Sequence, residues 1–164
     1  MILDDTSEGI GMNRRMFRFW PMLALAAVLL FPGYSKAAEI QRYRTEGAKA
    51  LNLPFSEAVI VGDTIYLSGQ IGNLPGKPEL APGGIEGEAR QVMANIGAVL
   101  EANGSSFAQV VQCTVMLADI ADWPAFNDVY VASFEDGAFP ARSAFAASGL
   151  ALGARVEVTC IAVR

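Results

Sequence analysis

Apolar positions recur along the chain in two rhythms, one of strands and one of helices. Phe55 to Val61 and Thr64 to Ile71 are rich in β-branched and aromatic residues, and Gly62-Asp63 between them is a tight-turn pair, which predicts a hairpin. After the breaker Pro82-Gly83-Gly84, residues Ala89, Val92, Ile96, Val99 and Leu100 return at helical spacing, which predicts an amphipathic helix over Ile85 to Asn103 that stops at Gly104. Gln109 to Leu117 is short, apolar and β-branched, as a buried strand is. Asp122 is placed to cap a second helix, with Pro124 in its first turn and Phe126, Val129, Tyr130 and Phe134 as its core-facing stripe before Gly137. Ala141 to Phe145 and Arg155 to Val163 close the chain as two more strands, joined by a loop through Gly149 and Gly153.

The resulting order, β-β-α-β-α-β-β, belongs to the α+β class: one mixed β-sheet backed by two helices. No repeat, low-complexity tract or long linker divides it. Glu39 to Pro54 is loosely patterned, with a short strand expected around Ile40 to Tyr43.

The segment before this domain has a different pattern. Arg14, Arg15 and Arg18 precede an unbroken apolar run from Met22 to Phe31, followed by Pro32, Gly33 and the small residues Ser35 and Ala37. Charged, apolar and cleavable stretches in that order predict an export signal over residues 1–37, cut between Ala37 and Ala38 and started at Met12. The protein is therefore expected to be periplasmic or secreted, with residues 38–164 as the domain. An apolar run this short falls well below the roughly 20 residues a membrane-spanning helix needs, so no stable membrane anchor is expected. The general secretory route is expected; Asn13-Arg14-Arg15-Met16-Phe17 approximates a twin-arginine pattern, but Arg18 sits where an apolar residue is expected, so that route is the alternative.

Composition narrows the chemistry. The 164 residues contain no His, which excludes imidazole-based triads, dyads and zinc sites. Any general base must then be a carboxylate, Lys, Tyr or Cys. Residues 38–164 hold eight Lys and Arg against fourteen Asp and Glu, a formal charge of −6 that argues against a nucleic-acid partner. Cys113 and Cys160 both lie in apolar, strand-like runs; two buried thiols are expected, with a disulfide as the alternative that export would permit.

Two charged residues stand inside the closing strands: Arg142 in Pro140-Ala141-Arg142-Ser143, and Glu157 in Val156-Glu157-Val158. Each is either half of a structural ion pair or a functional group. Alternation places Val156, Val158, Cys160 and Ala162 on one face of the last strand and Glu157 on the other. Ser68-Gly69-Gln70, at the end of the second hairpin strand, offers a hydroxyl, bare backbone and an amide to a pocket edge.

Together with Ala89-Arg90-Gln91 through Asn95 and with Phe126-Asn127 and Tyr130, these stretches resemble the RidA family, also called YjgF, of small imine and enamine deaminases. The resemblance covers Pro54 to Val163 and implies a chorismate-mutase-like fold and a homotrimer whose sites lie in clefts between subunits. It implies hydrolysis of amino-acid-derived imines or enamines to 2-oxo acids and ammonium, as by a 2-iminobutanoate/2-iminopropanoate deaminase, with no metal or organic cofactor. Arg142 would hold the carboxylate of the small-molecule substrate and Glu157 would activate water. Ser68, Phe55, Ala144 and Asn127 match substrate-pocket positions; Phe55 stands where a pocket tyrosine is common and Ala144 where a cysteine is. Thr159 replaces an acidic residue seen after Val-Glu-Val in many relatives. The alternatives are a non-catalytic small-carboxylate binding protein of the same fold, a ribonuclease, which the acidic charge disfavours, and an interaction module with vestigial clefts.

Overall fold

The computed structural model describes residues 37–164, so the export-signal reading lies outside the described residues. Its elements are β1 (Ile40–Tyr43), α1 (Glu46–Ala50), β2 (Ala58–Val61), β3 (Thr64–Leu67), β4 (Gln70–Ile71), α2 (Gly84–Ala102), β5 (Val110–Leu117), α3 (Trp123–Val131), β6 (Ala141–Ala146) and β7 (Val156–Val163). One sheet runs β1-β2-β3-β7-β5-β6, and β4 pairs with β7 beside that path. Every pairing is antiparallel except β5 with β6, and a parallel pair needs a crossover, which α3 supplies.

Side-chain alternation decides which face is dry. On β7, Val156, Val158, Cys160 and Ala162 are buried beneath the helices, while Glu157, Thr159 and Ile161 point to the other face. Cys113, Val115 and Leu117 of β5 join the same core, and Ala89, Val92, Ile96 and Leu100 of α2 close over it. The predicted amphipathic pattern of α2 and the two-residue alternation of β7 are both observed.

Several boundaries differ from those the pattern predicts, each for a physical reason. The loosely patterned Glu39–Pro54 contains a short helix as well as the expected strand; Thr45 caps α1 by accepting the Ala48 N–H at 3.1 Å. The second hairpin strand is interrupted at Ser68-Gly69, where the chain leaves β2 and resumes as β4 against β7. The second helix ends at Val131, and Asp122 makes no side-chain cap to it. That carboxylate is engaged by Arg155, whose Nε and Nη2 donate to Oδ2 and Oδ1 at 2.9 and 2.7 Å, while Asp119 takes the capping role on the preceding turn. Glu88, also buried, accepts the Arg155 backbone N–H at 2.8 Å, so α2, α3 and the start of β7 meet at one polar knot.

The expectation of two free buried thiols is wrong. Cys113 and Cys160 form a disulfide, because the β5–β7 register sets them directly opposite on the same buried face, with Cα atoms 4.1 Å apart. Each strand pattern shows that its cysteine is buried; only the register shows that the two meet.

Candidate active site

Glu157 begins as an energetic problem: a carboxylate in an apolar strand. The structure solves it by turning the side chain to the open face of the sheet, where it lines a cavity of about 500 Å³ with Leu53, Phe55, Ser68, Gly69 and Leu152. Among the described residues it makes no ion pair and no hydrogen bond, so the carboxylate is available to a molecule in the cavity. A Cβ built on Gly69 would fall inside the Glu157 carboxyl group. The bare backbone in Ser68-Gly69-Gln70 is thus what lets the carboxylate lie across the strand end. Gly69→Ala is expected to displace Glu157 and to lower kcat at least tenfold while the protein stays folded; a variant of unchanged kcat would show that the close approach is dispensable.

Ser68 stands at the same place, but its hydroxyl donates to the Ser56 carbonyl at 2.6 Å. Its oxygen can still accept a hydrogen bond from the cavity side. Phe55 lines the same cavity, 45% exposed, and presents only a ring where a tyrosine would add a hydroxyl.

Arg142 is built differently. In the parallel register it sits beside Cys113, which points into the helix-side core, so Arg142 faces the helices while Glu157 faces away from them. Its guanidinium lies 4.4 Å from the Tyr130 ring centre and 5.1 Å from that of Trp123, and Nη2 donates to Asn127 Oδ1 at 2.9 Å. Trp123, Asn127 and Tyr130 share one face of α3 by their spacing and hold the cation from three sides. Burial raises the Tyr130 phenol above its ordinary value, an effect the Arg142 charge partly opposes, so the ring remains neutral. Arg142 makes no ion pair among the described residues, and its other N–H donors are left for an anion.

The sequence-predicted residues therefore divide into two groups. Glu157, Ser68 and Phe55 meet at one cavity. Arg142 and Asn127 meet on the opposite face at the sheet edge, and Ala144 lies on their side, packed against the core rather than in the cavity. Within one chain the two groups are not brought together. Asn127 touches Arg142 and so positions it. Trp123 as an aromatic support for the cation, and Leu51, Leu53, Lys77 and Leu152 as cavity walls, were not singled out from the sequence. The four-then-three spacing from Trp123 to Asn127 to Tyr130 was a signal for the former; the walls come from loops and left none.

A mixed sheet with two helices on one face, a carboxylate on its open side and an aromatic-cradled arginine at its edge defines the class: an α+β protein of the Rid fold. Among solved structures, RidA from the Antarctic bacterium Psychrobacter sp. superimposes with a TM-score of 0.69 at 39% identity, covering 76% of this chain and 99% of that one. The Rid family protein YyfA from Yersinia pestis gives 0.71 at 34% identity, covering 77% and 100%. Residues 47–164 match the family described as Endoribonuclease L-PSP. The chain is 48% identical over 120 residues to a 2-iminobutanoate/2-iminopropanoate deaminase of Capra hircus, covering 73% of this chain and 87% of that relative. It is 36% identical over 157 residues to the chloroplastic Reactive Intermediate Deaminase A of Arabidopsis thaliana, covering 96% and 80%. The chain belongs to the RidA/YjgF family, as the motif resemblance implies.

Proposed function

We propose that the protein hydrolyses amino-acid-derived imines and enamines to 2-oxo acids and ammonium, at sites that two copies of the chain complete together. The observation that carries this reading is the division of the site: a carboxylate in a cavity on one face and a cradled arginine on the other, each without an ion-pair partner among the described residues. The open sheet face also exposes Tyr66 and Phe145, at 48% and 49%, a pattern expected of a surface that another copy covers. A cyclic homotrimer sets Arg142 of each copy over the cavity of the next.

In that arrangement Arg142 grips the substrate carboxylate with two parallel charge-assisted hydrogen bonds. Glu157 takes a proton from water as its oxygen bonds to the imine carbon, and the C=N electron pair moves to nitrogen. The proton passes to that nitrogen, giving a carbinolamine. Glu157 then takes the hydroxyl proton and passes it to the same nitrogen as C=O forms and the C–N bond breaks, so a 2-oxo acid and ammonia leave, the ammonia taking a solvent proton to become ammonium. Every group required is a side chain, and no redox change occurs. Curated relatives named as imine deaminases support the reaction class.

Export is part of the same proposal. A disulfide in the core is the chemistry of an oxidising compartment, which supports the leader-peptide reading of residues 1–37 and a periplasmic or secreted location.

The test is ammonium and 2-oxo acid release above the uncatalysed rate, followed by subunit complementation. Arg142→Ala and Glu157→Gln are each expected to be nearly inactive. Co-refolded in equal amounts, they should recover about one quarter of wild-type activity, because random mixing then pairs an intact Glu157 with an intact neighbouring Arg142 at that fraction of sites. Recovery of nothing would sink the shared site, and wild-type activity in either single variant would sink the assigned roles. If no imine is turned over at all, a non-catalytic carboxylate-binding protein becomes the reading.

A further inference from the structure

Leu152 is an anomaly that the proposed reaction does not use. It is a leucine with φ +57° and ψ +12°, a left-handed conformation that disfavours a branched side chain, and the next residue, Gly153, is left-handed as well at φ +73°. It is also 58% exposed, so the fold gains little burial from it. A strained backbone that holds an apolar side chain toward water stabilises nothing by itself, and such positions concentrate where a ligand is gripped.

Its surroundings say which ligand. Leu152 forms one wall of the Glu157 cavity, and Leu51 and Phe55, each 45% exposed, stand with it around the same space. Leu53 and Ile71 line the same space with Ser68 and Glu157. Among the described residues the only cation in the lining is Lys77, exposed like its neighbour Pro78. A substrate held at its carboxylate by an arginine from a second copy, with its imine carbon near Glu157, directs its remaining substituent into this apolar space.

We propose that Leu152, with Leu51 and Phe55, forms a side-chain subsite that selects imines of branched, thioether or aromatic amino acids over those of the smallest ones. This rests on the deaminase reading above and adds a substrate class and a specificity-determining residue to it. Apolar contact with the extra carbons of a leucine side chain, absent for alanine, is expected to raise kcat/KM by about 10- to 100-fold.

The experiment compares kcat/KM of the purified protein on imines generated in situ by flavin oxidases from alanine, leucine, methionine, phenylalanine and glutamate. The expected order places leucine, methionine and phenylalanine above alanine and glutamate. Leu152→Asn places a residue that tolerates left-handed backbone in the same turn, so the fold is retained with an unchanged or higher melting temperature while the leucine-to-alanine ratio falls at least fivefold. Ile120→Asn, which also removes an exposed apolar residue but lies outside the cavity lining, should leave that ratio as it is. An alanine preference, or a ratio that Leu152→Asn does not move, would overturn the subsite while leaving deamination standing. A glutamate preference would assign the space to Lys77 and overturn it too. No turnover of any imine would fail the deaminase reading itself, so the two failures are distinguishable.

Discussion

Arg142→Ala is expected to lower kcat/KM for imine hydrolysis by about 10²- to 10³-fold, the scale set by losing a charge-assisted, two-bond contact with the substrate carboxylate. Arg142→Lys is expected to recover little of it. A lysine keeps the charge but presents a compact ammonium that cannot offer two parallel N–H bonds. It would also lose the flat face that lies against Tyr130 and Trp123 and the Nη2 donor that Asn127 accepts. The ammonium would then find no fixed position at the sheet edge. Steady-state kinetics with a single imine, beside far-ultraviolet circular dichroism and light scattering to show an intact assembly, checks both variants. A lysine variant with more than half of wild-type kcat/KM would mean that charge alone suffices and that the aromatic cradle is incidental.

What the sequence carried, and what it did not, follows from the range of the forces involved. Local periodicity is short-range, and it located α2, the alternation of β7 and the outward turn of Glu157, all of which depend on neighbours a few residues away. The same reasoning misjudged Asp122, whose capping geometry is sound locally but whose carboxylate is taken by Arg155, distant in sequence and held by two hydrogen bonds. It found Arg142 and Glu157 as misplaced charges, yet left their relation open, since which face Arg142 occupies depends on the parallel pairing of β5 with β6. Leu152 left no trace in the pattern: a leucine in a loop reads as ordinary until its backbone angles are known. The family motifs supplied what periodicity lacked, because Ser68-Gly69-Gln70 encodes a close approach of Glu157 that no single-strand rule contains.

Cleaving the disulfide is expected to produce the largest stability change available without touching the core's volume. Cys113 and Cys160 are 47 residues apart, and closing a loop of that length removes chain entropy from the unfolded state worth about 4 kcal/mol in the loop-entropy account. For a domain of this size that corresponds to a fall in melting temperature of roughly 10 °C or more. The bond ties β5 to β7, two neighbouring inner strands of the sheet, and both cysteines are buried, at 1% and 2% exposure. Reductant should therefore act slowly on the folded protein and fully once it opens. Thermal unfolding with and without dithiothreitol is the measurement, with Cys113→Ala/Cys160→Ala as the control. The wild-type protein should lose stability on reduction, whereas the double variant, already less stable, should not respond to dithiothreitol at all. Equal melting temperatures for oxidised and reduced wild-type protein would mean that the pair is not bonded in solution. The support that the disulfide lends to an oxidising compartment would then be withdrawn, while the division of the site between Arg142 and Glu157 would stand unchanged, because it rests on strand register and not on the bond.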